Sequence, residues 1–252
     1  MIQVKHTFQE HKDEVNLFYE FLEEVVKHDA RLAIDPPANT IKKIKVETIA
    51  IAKASFFLML YNCVESTVVN VFNTILRAME EDGCKYADLR EELQLATLAA
   101  YDYRTRETES KDNRNQRLKE QSDYASGLSV VHLDLKSLTS SSSQGNFSGS
   151  LDAREIKKLF SRIGMDLSSL NCDEMKKIKE CRNKLAHGEC SFQDYGRELT
   201  IQYIGVSKEN TFTYLDGLIQ IVDEFITKKQ YRRVVRRRKN SLLTMICGLF
   251  DK

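Results

Sequence analysis

Residues 56–75, FFLMLYNCVESTVVNVFNTI, carry the apolar pattern that decides the fold. Apolar side chains recur there every three or four positions, so they share one face of a helix. These positions are Phe57, Leu60, Val64, Val68, Val71 and Ile75. The apolar stretch begins at Ile49, but Lys53 interrupts it and Glu65 ends it, which leaves it well short of the roughly 20 apolar residues of a membrane span. The segment therefore predicts a buried helix in a soluble protein.

Two further helical stripes flank this segment. The stripe before it includes His11 and predicts a first helix that runs to about His28, and the stripe after it predicts a third helix. The first stripe consists of Val4, Phe8, Val15, Phe18, Leu22 and Val25, and the third of Tyr86, Leu89, Leu93, Ala96, Ala100 and Tyr103. Asp35-Pro36-Pro37 and Asp82-Gly83 separate the three helices. Short breaks of this kind predict antiparallel neighbours in a bundle.

The middle of the chain has a different character. Residues 104–123 are highly charged and almost without apolar side chains, which indicates either a solvated helical extension or a mobile connection. Residues 129–138 alternate apolar and polar side chains as strands do, and residues 139–149 are rich in Ser and Gly. We therefore expect an insertion near 104–150, with a small irregular or β element over 124–150.

Helices resume after this insertion. Asp152 is expected to cap a helix that ends before Gly164, and Asp173 to cap a second helix that ends at Gly188. The fold class that follows is all-α, a helical bundle over residues 1–230. Residues 231–252 form a basic and apolar C-terminal tail.

Composition narrows the class of protein. A chain of 252 residues with 42% hydrophobic residues suffices to bury one sizeable core. Its six Cys residues contain no C-x-x-C pair, and the N-terminal residues lack the pattern of a signal peptide. We therefore expect reduced cysteines, a cytoplasmic location, and no metal or other cofactor.

The charge distribution is strongly asymmetric. The formal net charge is +1, yet residues 228–239 hold eight cations and no anion, so the rest of the chain is acidic. A cluster of cations favours a phosphate backbone as its partner. The tail residues predicted to contact RNA are Arg232, Arg233, Arg236, Arg237 and Arg238. Because residues 242–250 are largely apolar, a basic amphipathic helix at a membrane or in a partner groove is an alternative, and a solvated helix end is a third.

Residues 182–188, RNKLAHG, hold the side chains best suited to chemistry. At about 100° per residue, Asn183 and His187 share nearly one helix face, and Arg182 lies about 140° from His187 and about 7.5 Å along the axis. The long Arg182 side chain still reaches that face. A guanidinium binds two phosphate oxygens at once, and histidine changes its charge near neutral pH. The spacing alone also fits a solvated Arg182 and a His187 that only caps the helix.

The residues around this segment favour a functional role for Arg182 and His187 over a purely structural one. Residues 182–192, RNKLAHGECSF, resemble the R-x4-6-H signature of the HEPN superfamily, in which a polar residue, here Asn183, usually follows the Arg. Residues 58–66, LMLYNCVES, and 147–156, FSGSLDAREI, resemble one branch of it, the prokaryotic MAE-type HEPN nucleases. The resemblance extends over roughly residues 45–230.

The resemblance implies a HEPN-like bundle that forms a homodimer, in which two Arg/His helix ends face one composite cleft and cut RNA without a metal. Arg182 would bind the phosphate, His187 would transfer a proton, Asn183 would orient either group, and Lys184 would contact RNA. A toxin or phage-defence role is implied, with an antitoxin or regulatory protein as a further partner. The alternative is a non-catalytic module that binds nucleic acid or protein.

Three other polar residues lie near the predicted core. Glu65 stands beside the apolar face of its helix and needs a partner, so it either forms a structural ion pair or supports the Arg182 site. Tyr61 is expected to pack and form hydrogen bonds. His11, on the apolar stripe of the first helix, is expected to be a hydrogen-bonded core residue.

Overall fold

A computed structural model describes residues 1–34, 40–107, 122–123 and 151–234. Within these ranges the chain forms seven α-helices and one two-stranded sheet, so the predicted all-α class is confirmed. The elements are α1 (Ile2–Lys27), β1 (Arg31–Ile34), β2 (Thr40–Lys43), α2 (Val46–Glu81), α3 (Glu91–Glu107), α4 (Ala153–Ser161), α5 (Glu174–Ala186), α6 (Phe192–Glu198) and α7 (Ile201–Thr227). A short 3-10 turn, Tyr86–Asp88, precedes α3.

The central element of the bundle is α2, which contacts α1, α5, α6 and α7. All six residues of the predicted stripe are buried in it, as is Tyr61. This is the one helix in the described part of the chain with the length and composition to cross a membrane. Because 56% of its most apolar window is buried inside the protein, α2 is a core helix, as predicted.

The first helix also matches its prediction. Its last residue is Lys27 and His28 forms the C-cap. Its buried residues, Val4, Phe8, Val15, Leu22 and Val25, belong to the predicted stripe. They pack α1 against α2 and α7, for example through the edge-to-face contact of Phe8 with Phe212 at 6.2 Å.

The sheet lies where the sequence indicated only a break. β1 and β2 pair in antiparallel register from Arg31 with Lys43 to Ile34 with Thr40. Each strand has only four residues, and the apolar Leu32 and Ile41 are 56% and 70% exposed. The segment therefore lacks the alternation of buried apolar and exposed polar side chains by which a strand is recognised in a sequence. The β element predicted for residues 124–150 lies outside the described residues.

The third predicted helix is split into two elements. The turn Tyr86–Asp88 is followed by an extended Leu89 and only then by α3. Leu89 forms an isolated antiparallel bridge with Arg232, and the Arg90 amide donates to the Tyr231 carbonyl at 3.0 Å. The C-terminal segment therefore uses the backbone groups that a continuous helix would have bonded internally.

Asp82 fastens the start of the predicted tail to the bundle. It accepts hydrogen bonds from Arg232 Nε at 2.6 Å and Tyr231 Oη at 3.1 Å, and it also binds Lys229. The hydrogen bond from Arg232, reinforced by Lys229, holds the pKa of Asp82 well below its usual range. Arg232 is one of the predicted RNA contacts, and within the fold its guanidinium is hydrogen-bonded to Asp82. Arg233 is exposed, and the other predicted tail contacts, Arg236, Arg237 and Arg238, lie outside the described residues.

Candidate functional site

Asp152 caps α4, as predicted. Its Oδ1 accepts the amide hydrogens of Arg154 at 2.9 Å and Glu155 at 3.0 Å. Its Oδ2 accepts from Lys179 Nζ at 2.6 Å, although the residue is only 2% exposed. Burial raises the pKa of Asp152, but the hydrogen bonds from Lys179 and the Glu155 amide outweigh it, and the net pKa is lowered. Asp152 is therefore a buried carboxylate held in its charged form.

The start of α5 differs from its prediction. Asp173 occupies the N-cap position, but its side chain makes no capping hydrogen bond. A capping side chain needs an extended backbone to reach the first free amides, whereas Asp173 is helical, with φ −70° and ψ −27°. Its carbonyl instead accepts from the Lys176 amide at 3.2 Å. Four buried residues hold α5 in the core, namely Met175, Ile178, Cys181 and Leu185.

The end of α5 is fixed by a Schellman motif. The Glu189 amide donates to the Lys184 carbonyl at 2.9 Å, and the Gly188 amide donates to the Leu185 carbonyl at 3.3 Å. Gly188 has φ +69°, which confirms the predicted left-handed helix end. His187 is the C-cap residue and is exposed. The motif therefore presents the imidazole to solvent from a well-defined backbone position.

Arg182 is half-buried and lies against Tyr61 of α2. Its guanidinium carbon is 5.6 Å from the centre of the Tyr61 ring, within the range of a cation–π contact. Its Nη1 donates to Asn183 Oδ1 at 3.3 Å. Tyr61 is 1% exposed, and its hydroxyl accepts the Leu151 amide at 3.3 Å. The guanidinium thus rests on a buried ring rather than extending freely into water.

The three segments that carry the sequence resemblance meet at this point. Tyr61 belongs to residues 58–66, and Leu151 and Asp152 belong to residues 147–156. Lys179, the partner of Asp152, lies one turn before Asn183 and on the same side of α5. Neither Tyr61 with Arg182 nor Asp152 with Lys179 was predicted as a pair. The sequence held one signal for these pairs. The polar residues of Leu60-Tyr61-Asn62 and Leu151-Asp152-Ala153 lie directly beside apolar residues.

Three further candidate residues differ in their surroundings. Glu65 lies one turn after Tyr61 and is half-buried, but its side chain makes no hydrogen bond or ion pair with any described residue, so the predicted ion pair is not found there. Lys184 is exposed next to Asn183. His11 Nδ1 is buried and has no partner among the described residues, contrary to the expectation of a hydrogen-bonded core histidine.

The groups around the site are suited to an anion. Lys184, next to Asn183, is exposed, and so is Arg154, whose side chain is 72% exposed and lies 3.6 Å from the Asp152 carboxylate. One carboxylate in this region, Asp152, is buried and paired with Lys179, and the Glu65 carboxylate, one turn after Tyr61, is half-buried. Within the described ranges, no three His, Cys, Asp or Glu side chains are grouped as a metal site would require. The site can bind a phosphate through Arg182 and move a proton through His187.

The architecture defines a class, an all-α bundle that presents an arginine and a histidine on the last turns of one helix. The chain belongs to the MAE_28990-like HEPN family, whose model matches residues 3–231. This family indicates a nuclease-like or RNA-related module and confirms the helical fold. No curated protein and no solved structure is significantly similar to the chain.

Proposed function

We propose that the protein is a metal-independent endoribonuclease. The observation that carries the proposal is the placement of Arg182, seated on Tyr61, beside Asn183 and on the same helix end that presents His187 to solvent. An arginine that binds phosphate and a histidine that transfers protons are sufficient for RNA cleavage, because the substrate supplies its own nucleophile.

The reaction that fits these groups is internal attack by the 2′-hydroxyl. The 2′-oxygen forms a bond to phosphorus, the bond to the 5′-oxygen breaks, and a 2′,3′-cyclic phosphate and a 5′-hydroxyl result. Arg182 stabilises the charge that builds up on the phosphate oxygens. His187 transfers a proton, either from the 2′-hydroxyl or to the departing 5′-oxygen. Asn183 accepts one guanidinium hydrogen and orients Arg182.

The site of one protomer is open to solvent, and we propose that a second copy completes it. His187 is exposed, and in a homodimer two such helix ends would face one RNA strand. Mixing Arg182→Ala protein with His187→Ala protein tests this arrangement. If a site takes its arginine and histidine from different protomers, the mixture recovers cleavage that neither parent shows. A mixture as inactive as its parents, or a monomeric mass in solution, contradicts it.

The decisive experiment incubates purified protein with total RNA. His187→Ala and Arg182→Ala should each lower the cleavage rate by at least about a hundredfold, since both remove a group used in the reaction. His28→Ala is the matched control, because His28 is also an exposed C-cap histidine, at the end of α1. RNA binding without cleavage by the wild-type protein would instead identify a non-catalytic binding module.

A toxin or phage-defence role in the cytoplasm, which the resemblance to the HEPN nucleases implies, is part of the proposal. An RNA-cutting protein must be restrained in its own cell, so an antitoxin or regulatory protein is the expected partner. Induced expression should arrest growth with the wild-type sequence and not with His187→Ala at equal protein level. Equal growth of both strains would contradict the proposed role.

A further inference from the structure

We infer that Tyr61 is a positioning residue for Arg182, and this inference rests on the proposed function. The guanidinium carbon lies over the Tyr61 ring, 5.6 Å from its centre, and Nη1 donates a hydrogen bond to Asn183 Oδ1. A guanidinium has five N–H donors, and its contact with the ring uses the positive charge rather than an acceptor atom, so the donors that Asn183 does not engage remain for phosphate oxygens. Because the buried ring occupies one side of the guanidinium, phosphate must approach from another side.

Tyr61 is suited to this role because it is itself immobilised. It lies in the middle of the central helix α2, is 1% exposed, and accepts the Leu151 amide at its hydroxyl. An arginine side chain normally loses considerable conformational freedom when it binds a ligand. The fixed ring restricts the Arg182 side chain before RNA binds. Less conformational freedom is therefore lost when RNA binds.

Three substitutions separate positioning from packing. Tyr61→Leu removes the ring and should lower kcat/KM for RNA cleavage by about tenfold, the size of a partly desolvated cation–π contact. Tyr61→Phe keeps the ring and should stay within about threefold of the wild type. Phe72→Leu is the control, because Phe72 is a fully buried ring of α2 that packs on Phe160 and has no ring contact with Arg182. It should lower stability and leave kcat/KM unchanged.

A double-mutant cycle on RNA affinity tests the link to Arg182 directly. In the His187→Ala background, Tyr61→Leu should weaken binding of a short RNA several-fold when Arg182 is present and not at all when Arg182 is alanine. In a ¹H–¹⁵N correlation spectrum, the Tyr61 ring should shift the guanidinium protons of Arg182 upfield. This shift should disappear in Tyr61→Leu and remain in Tyr61→Phe.

Two results would contradict the positioning role of Tyr61. Equal losses of activity in Tyr61→Leu and Phe72→Leu, or a loss of affinity that persists without Arg182, would overturn the positioning role and leave Tyr61 as a packing residue. A wild-type protein that does not cut RNA would refute the proposed function. In that case the affinity cycle, which uses a non-cleaving background, still decides the role of Tyr61.

Discussion

Lys179 Nζ donates a 2.6 Å hydrogen bond to Oδ2 of Asp152, and this ion pair joins the first turn of α4 to α5 one turn before Asn183. The two side chains are 19% and 2% exposed, so both charges are largely withdrawn from water. Asp152 also caps α4 with its other oxygen. One carboxylate therefore fixes two helices next to the catalytic residues that we propose.

Breaking this pair should destabilise the fold. Asp152→Asn keeps a residue that caps helices well but removes the negative charge that Lys179 Nζ binds at 2.6 Å. The free energy of unfolding should fall by about 3 kcal/mol, as for other buried pairs that lose one partner. Glu155→Gln is the control, since it breaks the exposed pair with Lys158 and should cost at most about 1 kcal/mol. Urea unfolding at pH 7 measures both, and equal effects would contradict the prediction.

The same pair predicts a pH dependence with a definite sign. The folded pKa of Asp152 is lowered relative to an unfolded value of about 3.9. Its stabilising contribution is therefore fully present above that unfolded value and is lost as the pH falls through the folded pKa. The stability difference between wild type and Asp152→Asn should shrink as the pH falls from 6 to 2. A difference that stays constant over this range would show that the charge of Asp152 is not involved.

Gly196, in α6, should be more sensitive to substitution than Gly188. A Cβ there would lie 1.8 Å from the Ala50 carbonyl oxygen of α2, which is backbone and cannot rotate away. Gly196→Ala should cost about 3 kcal/mol or more, because α6 must move away from α2. At Gly188 a Cβ meets nothing within 4 Å and only φ +69° is unfavourable, so Gly188→Ala should cost about 1 kcal/mol. Denaturation curves compare the two, and similar costs would contradict this account.

Local patterns explain what the sequence could predict. The helix limits at His28 and Gly188 and the cap at Asp152 depend on neighbours within a few residues, and all three are confirmed. Asp173 failed as a side-chain cap because its backbone is helical, and residue type does not determine backbone conformation at a helix start.

The contacts of the site could not be predicted in this way. Tyr61 and Arg182 lie on different helices far apart in the chain, and only the packing of α2 against α5 brings them together. Asp82 and Arg232 form a similar long-range pair. The sequence does not predict it, because nothing in the run of cations distinguishes Arg232 from the neighbouring arginines. Single-sequence patterns identify candidate residues, but their partners follow from tertiary packing.

The chemistry proposed for the site predicts its products. Cleavage should continue in EDTA and yield a 2′,3′-cyclic phosphate, since Arg182 and His187 serve internal attack without a metal. A substrate with a single 2′-deoxy nucleotide at the cleaved position should resist, because its nucleophile is missing. Mass spectrometry of the cleavage fragments shows whether their 3′ ends carry a cyclic phosphate or a hydroxyl. Activity that EDTA abolishes and Mg²⁺ restores would contradict the proposed reaction.

The last prediction separates two groups of arginines in the C-terminal segment. Replacing Arg236, Arg237 and Arg238 with Gln should weaken RNA binding for all sequences and flatten its salt dependence, because fewer counterions are released. Arg232→Gln should instead lower stability and leave the salt slope nearly unchanged, since Asp82 already binds this guanidinium at 2.6 Å. Affinity measured between 50 and 300 mM salt, about the range in which such slopes are resolved, compares the two variants. Equal slopes for the triple variant and the wild type, with loss of binding to anionic vesicles, would assign the tail to a membrane surface.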